Sequence, residues 1–368
     1  MQISAAIART KGAPLTIEAI EIDEPREDEV LVRVVATGVC HTDMVMRDQL
    51  LPIPLPAVLG HEGAGIVERV GKSVTKVRPG DHVVMTFDSC GACPSCSEHE
   101  PAYCHAIFPL NFAGARLDGT TALSRSGEPV HSHVFGQSSF ATYALCHARN
   151  VVKVRDDVAL EKLGPLACGV QTGAGTVLCA LKVRQGQSVM VTGCGTVGLS
   201  AVMAAKYAGA ATIVAVDLLD SRLDLARELG ATHTINGRGA DLVKAIAAIA
   251  GPGVDYAIDT TGVPELIGQA VLCLAPRGTC AVVGAIAPGA LLPINGSELM
   301  SFGRSVRGIV EGSSEPDSFI PRLVELHLEG HLPFDKLIRY YPFSAINDAI
   351  ADSESGKCIK PILRMDRA

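Results

Sequence analysis

The sequence has no tryptophan, and its 9 Phe and 6 Tyr bring aromatic residues to only 4% of 368 positions. Aromatic side chains are scarce enough that a local gathering of them carries information. Positive charge is not in excess either: 32 Lys and Arg face 39 Asp and Glu, for a formal net charge of −7. That balance gives no electrostatic reason to expect nucleic acid or an anionic membrane as a partner. No apolar run reaches the roughly 18 residues needed to span a bilayer. The N-terminal stretch MQISAAIARTKGAPLTIEAI lacks the charged start and apolar block of a signal peptide. There is no internal repeat and no low-complexity segment. With 48% apolar and 19% charged residues, the composition is that of a compact globular protein rather than a disordered one. The length suits two domains.

Cysteine, by contrast, is plentiful, at 12 residues. A disulfide scaffold fits short secreted chains. In a long chain with clustered Cys and His, reduced thiols and metal are expected instead, in the cytoplasm. Cys90, Cys93, Cys96 and Cys104 follow the spacing C-x2-C-x2-C-x7-C. Thiolates that close repel one another unless a soft cation sits among them. Four sulfur ligands suit tetrahedral zinc and leave no position for substrate, so this is a structural site on a loop. His99 and His105 flank it, but four sulfurs already fill the tetrahedron. The other cysteines, Cys146, Cys179, Cys194, Cys273, Cys280 and Cys358, read as small core or loop residues.

The first half reads as β-rich, with apolar runs at Val30–Val35, Gly65–Val70 and His82–Met85 divided by Gly, Pro and Asp turn signals. Residues 104–137 read as irregular. Near Gly164 the pattern changes to alternating strands and helices: strands at Ser188–Thr192, Thr212–Asp217, Val254–Asp259 and Thr279–Gly284, helices at Leu199–Gly209, Ser221–Leu229 and Glu265–Leu274. That alternation implies a parallel sheet covered on both faces. After about Phe302 short mixed elements return and end in Lys360–Leu363. The expected organisation is a β-rich domain of residues 1–163 and 302–368 with a nucleotide-type domain of residues 164–301 inserted.

Within that second domain, Gly193-Cys-Gly195-Thr-Val-Gly198 is G-x-G-x-x-G directly after a strand and opening a helix. Gly193 permits the tight turn, Gly195 lets a pyrophosphate approach the backbone, and Gly198 lets helix and strand pack closely. The helix N-terminus offers free N–H groups to phosphates. Asp217 ends the next strand, where a carboxylate accepts from both adenine-ribose hydroxyls and repels a 2′-phosphate, favouring NAD over NADP.

A second metal site is spread along the chain. His61 lies in Gly60-His61-Glu62, Cys40 in Gly38-Val-Cys40-His41-Thr42-Asp43, and Cys168 in Pro165-Leu-Ala-Cys168-Gly169. Two thiolates and one imidazole leave the fourth position of a zinc open, as a catalytic site requires. An open zinc lowers the pKa of an alcohol, and an alkoxide carbon gives up hydride readily to NAD.

On these residues the sequence resembles the zinc-dependent medium-chain alcohol dehydrogenases over essentially its whole length. Gly60-His61-Glu62-x2-Gly65-x5-Gly71-x2-Val74 reproduces that family's zinc signature, and the four-cysteine loop and nucleotide fingerprint fall in its order. Cys40–Gln49, Phe108–Phe112 and Phe135–Tyr143 are most similar to the aryl-alcohol dehydrogenases and relatives acting on geraniol. The resemblance implies an α/β fold, a GroES-like β-rich catalytic domain plus a Rossmann doubly wound parallel-sheet cofactor domain. It implies a catalytic zinc on Cys40, His61 and Cys168, with Glu62 just behind the metal and Asp43 bonded to the outer nitrogen of His61. Thr42 would take the alcohol proton. Where many relatives continue the relay with a His, this chain has Val45, so His41, beside the cofactor phosphates, or Arg47 through water would carry the proton on. Cofactor contacts are expected from His41, Gly193, Gly195, Thr196, Val197, Gly198, Asp217 and Arg222, and from Lys360 on the pyrophosphate. Phe108, Phe112 and Phe140, alternatively simple core packing, would line an aromatic or isoprenoid pocket with Arg47. The expected activity is reversible oxidation of a hydrophobic primary alcohol by NAD, with two zincs per chain. The rivals are a glutathione-dependent formaldehyde dehydrogenase, a short-chain aliphatic alcohol dehydrogenase and a non-enzymatic NAD binder. A homo-oligomer, tetramer rather than dimer, is expected through the region Ala290–Ile294.

Overall fold

The computed structural model describes residues 1–365, which form two compact units. The first comprises Met1–Cys168, Glu315–Glu325 and the chain from Asp335 onward; the second comprises Gly169–Ser314 and Leu326–Phe334. Among the described residues no helix is long and apolar enough to cross a membrane.

The first unit is built from β1 (Gln2–Ala8), β2 (Thr16–Ile22), β3 (Glu29–Gly38), β4 (Ala57–Val58), β5 (Glu62–Val70), β6 (His82–Met85), β7 (Leu123–Arg125), β8 (Glu128–Val130), β9 (Tyr143–His147) and β10 (Val151–Lys153). One sheet runs β4-β1-β2-β7-β8. The other runs β10-β6-β5-β3 and is extended by the C-terminal strands Lys360–Arg364 and Ile338–Pro342, with β9 also pairing β3. β3 explains the arrangement, because its run EVLVRVVATG is apolar on both faces. Val30, Val32 and Val34 enter a core with Val67, Val83 and Met85, while Leu31 enters the larger core with Ile7, Leu59 and Phe140. A strand buried on both sides reads as a continuous apolar run rather than an alternating one. Within the stretch expected to be irregular, β7 and β8 form a hairpin closed by Ser126 (φ 51°) and Gly127 (φ 83°).

The second unit carries a six-stranded parallel sheet of β11 (Ser188–Thr192), β12 (Thr212–Asp217), β13 (His233–Asn236), β14 (Val254–Asp259), β15 (Leu274–Val282) and β16 (Ser305–Gly308). Their spatial order is β13-β12-β11-β14-β15-β16, the doubly wound 3-2-1-4-5-6 arrangement, with its switch point between β11 and β14. Met190, Val214, Val254, Ala257 and Cys280 bury against Leu242, Ile246, Ile267 and Val271 from the helices.

The sequence boundary at residue 302 is corrected by β16. Its Ser305–Gly308 segment pairs in register with Thr279–Val282 of β15, so residues 302–314 belong to the second unit. β13 was not foreseen, because its residues HTIN are polar and only partly buried. Of the six cysteines outside the clusters, all but Cys179 are buried.

Candidate metal and dinucleotide sites

β3 ends at Gly38, and Cys40 then caps the helix His41–Arg47 in an extended conformation, with φ −115° and ψ 153°. The Cys40 N–H donates to Asp43 Oδ2 at 3.0 Å, which closes the first turn. Asp43 Oδ1 accepts from Gly60 N–H at 3.1 Å and lies 2.8 Å from His61 Nδ1. Asp43 is fully buried and so ties three separate pieces of chain together. Cys168 arrives from the other side after a short turn at Gly164–Ala167, anchored by Thr86 Oγ1 donating to Ala167 O at 3.1 Å.

The structure therefore brings Cys40, His61, Glu62 and Cys168 together, with one ligand atom of each within 4.8 Å of the others. The decisive feature is His61 Nε2, a buried ring nitrogen with no hydrogen-bond partner. With Nδ1 held by the Asp43 carboxylate, Nε2 is the ring nitrogen left for the cluster, whose ligand atoms lie within 4.8 Å of one another. Two sulfurs and one imidazole nitrogen held together in a buried cluster are the donor set that fits zinc. Within the cluster the Cys40 thiol is drawn well below its ordinary value, first by the hydrogen bond from Cys168, against burial, then by His61 and Lys360. Thiolate character is what a metal ligand needs.

Lys360 lies directly behind these ligands. It is 2% exposed, and its Nζ donates to both Glu62 oxygens at 2.8 Å and to Val39 O at 3.1 Å. Burial works against its charge, but the Glu62 carboxylate together with the Cys40 and Cys168 sulfurs outweighs it and raises the Lys360 pKa. A lysine so enclosed is a counter-ion to Glu62 behind the cluster. Thr42 is half-buried, its Oγ1 3.8 Å from Cys40 Sγ, and His41 is exposed. Arg47 is held elsewhere: it pairs with Asp48 at 2.7 and 3.0 Å and with Glu354 at 2.9 Å.

The four-cysteine cluster also forms. Sγ–Sγ distances are 3.9 Å for Cys90–Cys96, 3.5 Å for Cys93–Cys96 and 4.0 Å for Cys93–Cys104. Tetrahedral zinc with bonds of about 2.3 Å needs sulfurs about 3.8 Å apart. Backbone N–H groups of Cys90, Cys93, His105 and Ala106 point at these sulfurs. Hydrogen bonds, foremost from His105 N–H, lower the Cys93 pKa to about 6, whereas burial pushes Cys104 up to about 12. His99 pairs with Glu315 at 3.0 Å, outside the cluster.

The expected phenylalanines separate into two groups. Phe140 is fully buried in the core of the first unit, against Gly60, where a Cβ would come within 2.5 Å of its ring. It is packing rather than pocket. Phe108 and Phe112 instead join a residue that sequence reasoning passed over. Phe135 stacks on the His61 imidazole with centroids 4.3 Å apart and planes at 20°. Phe112 meets Phe135 edge-on at 5.0 Å, and Phe108 follows at 5.7 Å from Phe112. The segment VFGQSSF contained both Phe135 and Phe140, and nothing in its spacing told them apart.

In the second unit Gly193 adopts φ +89° after β11, and a Cβ on Gly198 would come 1.8 Å from Gly193 O. Nothing lies within 4 Å of the corresponding position on Gly195, which is the open approach a pyrophosphate needs. Thr196 and Val197 open the twelve-residue helix Thr196–Tyr207, and Arg222 lies on the helix Asp220–Leu229. Asp217 ends β12 and also organises the loop itself: Oδ2 accepts from Cys194 N–H at 2.6 Å, Oδ1 from Leu218 and Leu219 N–H at 2.7 and 3.0 Å.

Comparisons with known proteins agree with this chemistry. Residues 26–156 match the alcohol dehydrogenase GroES-like domain, and residues 196–327 match the zinc-binding dehydrogenase family. Geraniol dehydrogenase of Castellaniella defragrans is 47% identical over 361 residues, 98% of this chain and 96% of that protein. The crystal structure of benzyl alcohol dehydrogenase from Acinetobacter calcoaceticus shares 49% identity with a TM-score of 0.97, covering 100% of both chains. An alcohol dehydrogenase zinc-binding domain protein from Burkholderia ambifaria reaches 55% identity and a TM-score of 0.98, again over 100% of both chains. A pair of sulfurs facing an orphaned imidazole nitrogen thus has a family context, and the chain belongs to the zinc-dependent medium-chain alcohol dehydrogenases.

Proposed function

We propose that this alcohol dehydrogenase interconverts hydrophobic primary alcohols, of the benzylic or allylic terpene type, with their aldehydes, using NAD. The observation that carries the chemistry is the unpartnered His61 Nε2 facing Cys40 and Cys168. The substrate class is supported by the aromatic rings beside it and by the geraniol and benzyl alcohol dehydrogenases to which the chain is similar.

Cys40, His61 and Cys168 hold the catalytic metal, and Cys90, Cys93, Cys96 and Cys104 hold a structural one. Zinc at the first site supplies a Lewis acid that lowers the pKa of an alcohol. Asp43 fixes the His61 tautomer, and Lys360 neutralises Glu62 behind the ligands. Thr42 Oγ1, at the edge of the cluster, would accept the alcohol proton as it releases its own hydroxyl proton, which the exposed His41 would take up and pass to solvent. Gly193, Gly195 and Gly198, with Thr196 and Val197, cradle the dinucleotide, and Asp217 disfavours a 2′-phosphate. Six of the twelve thiols sit in the two clusters, which supports a reducing, cytoplasmic setting. Leu291 and Met300, 88% and 80% exposed, support assembly of the second unit into a homo-oligomer.

The test is a panel of benzyl alcohol, cinnamyl alcohol, geraniol and ethanol, each with NAD and NADP. Preference for the unsaturated alcohols with NAD is expected. Ethanol as best substrate, or preference for NADP, would overturn the corresponding part of the reading.

A further inference from the structure

We propose that Phe135 is the specificity residue of this site, selecting alcohols that carry a flat unsaturated group next to the hydroxyl-bearing carbon. The inference rests on the alcohol dehydrogenase reading above and deepens it.

Phe135 lies face to face with the imidazole of a metal-ligand residue, at 4.3 Å and 20°. Phe112 meets it edge-on at 75°, and Phe108, tilted against Phe112, is 67% exposed. Three of the nine phenylalanines thus form a continuous aromatic array from the metal cluster to solvent.

The backbone that delivers Phe135 is strained. Phe135 has φ 49°, and His133, Gly136 and Ser138 have φ 62°, 66° and 55°. A bulky residue in the left-handed region persists only where its surroundings over-determine it. Here they do. Gln137, 1% exposed, donates through Nε2 to His61 O and Met85 O at 2.9 Å and accepts from Gly63 N–H at 3.1 Å. Asn150 Nδ2 donates to Phe135 O at 3.2 Å, and Ser138 Oγ donates to Val58 O at 2.6 Å. The Gln137 amide and the Ser138 hydroxyl bind this strap to the chain on both sides of His61, and the ring it presents covers the imidazole.

Burying one phenylalanine needs no such conformation, because β-strands of the same unit bury large side chains with relaxed backbones. Holding a ring at one place beside the metal does need it. An aryl or alkenyl group next to that ring gains face or edge contacts with its π system, whereas a saturated methyl group gains area alone. Discrimination then follows from the neighbour of the reacting carbon rather than from the reaction.

The experiment uses the full-length, zinc-loaded enzyme with Phe135→Leu, Phe135→Tyr and Phe108→Ala. Rates are measured on benzyl alcohol, geraniol and ethanol, zinc content by elemental analysis, and benzaldehyde binding by calorimetry without cofactor. In Phe135→Leu the ratio of kcat/KM for benzyl alcohol to that for ethanol should fall about tenfold, chiefly through KM, the upper end for an aromatic pair. Benzaldehyde binding should weaken comparably with zinc content unchanged, and Phe135→Tyr should retain the wild-type ratio. An unchanged ratio in Phe135→Leu, or an equal loss on all three alcohols, overturns the proposal. Should Phe135→Leu not fold, Phe108→Ala at its exposed position decides: a two- to threefold fall in the ratio is expected, and no fall overturns the aromatic array. Absence of wild-type activity on every alcohol would instead sink the activity reading.

Discussion

The Nζ of Lys360 lies 2.8 Å from each carboxylate oxygen of Glu62, and neither side chain reaches solvent. Two opposite charges are thereby enclosed directly behind a set of metal ligands. Removing one partner strands the other in a medium that cannot solvate it. Lys360→Met should therefore cost about 3–5 kcal/mol of stability. The double variant Lys360→Met/Glu62→Gln should regain much of that loss. Urea unfolding of both proteins is the measurement, and a double variant no more stable than the single one would show that the two groups are not coupled.

Asp43 tests the tautomer argument. It takes the Nδ1 side of His61 at 2.8 Å and leaves Nε2 for the metal. Asp43→Asn keeps the shape but removes the charge that orients the ring. Zinc affinity should fall about 10–100-fold, as read by competition with a chromogenic chelator. Full retention of affinity would mean that packing alone, including the Phe135 ring, orients the imidazole.

His133 gives the protein a defined response to acid. It is buried, and burial, followed by the charge of Arg116, lowers its pKa to about 3. The unfolded chain takes up a proton there near pH 6.5, while the folded chain does not until about pH 3. Protons therefore favour the unfolded state between those values. This contribution to stability is complete above about pH 6.5 and is lost as pH falls toward 3, at about 1.4 kcal/mol per pH unit. Asn tolerates the left-handed backbone at this position and does not titrate. The stability difference between wild type and His133→Asn should thus shift by about 2 kcal/mol between about pH 7.5 and pH 5. A difference constant with pH would contradict it.

Two glycines of the dinucleotide loop should respond in opposite ways. A Cβ on Gly198 would meet a backbone oxygen at 1.8 Å, so Gly198→Ala should destabilise the second unit. At Gly195 a Cβ meets nothing within 4 Å, so Gly195→Ala should unfold like wild type. It should nevertheless bind NADH much more weakly, because the methyl occupies the space of the pyrophosphate. Thermal unfolding and NADH fluorescence titration on both variants separate the two effects. Wild-type NADH affinity in Gly195→Ala would show that the phosphates lie elsewhere.

The four-cysteine loop should behave as a fastener. Cys93→Ser removes a sulfur that lies 3.5 and 4.0 Å from two others. One zinc per chain should be lost, with lower thermal stability. The catalytic constant of protein that remains folded should change little, and a large fall in that constant with intact stability would contradict a purely structural role.

Much of this was legible from sequence because the signals were local. C-x2-C-x2-C-x7-C and G-x-G-x-x-G each lie within a few turns of chain, and the alternation of strands and helices follows from periodicity. The scattered triad Cys40, His61 and Cys168 could be named only because its residue types and flanking glycines resemble a family's pattern. The pairing of Lys360 with Glu62 was not legible, because it arises only where β3 and the C-terminal strand lie side by side. Phe140 and Phe135 show the same limit. They are five positions apart, and only the left-handed backbone at Phe135 sends one ring to the metal cluster while the other fills the core.

The sequence by itself determined the four-cysteine ligand set, the nucleotide loop and the strand–helix alternation, since each depends on residue type and short-range spacing, whereas the scattered set of Cys40, His61 and Cys168 needed a family's pattern to be named. Tertiary structure decided which charges neutralise one another, where β16 pairs, and which phenylalanine faces the chemistry. Those outcomes depend on long-range strand pairing and on buried hydrogen bonds from Gln137 and Asn150, and neither leaves a trace in local spacing.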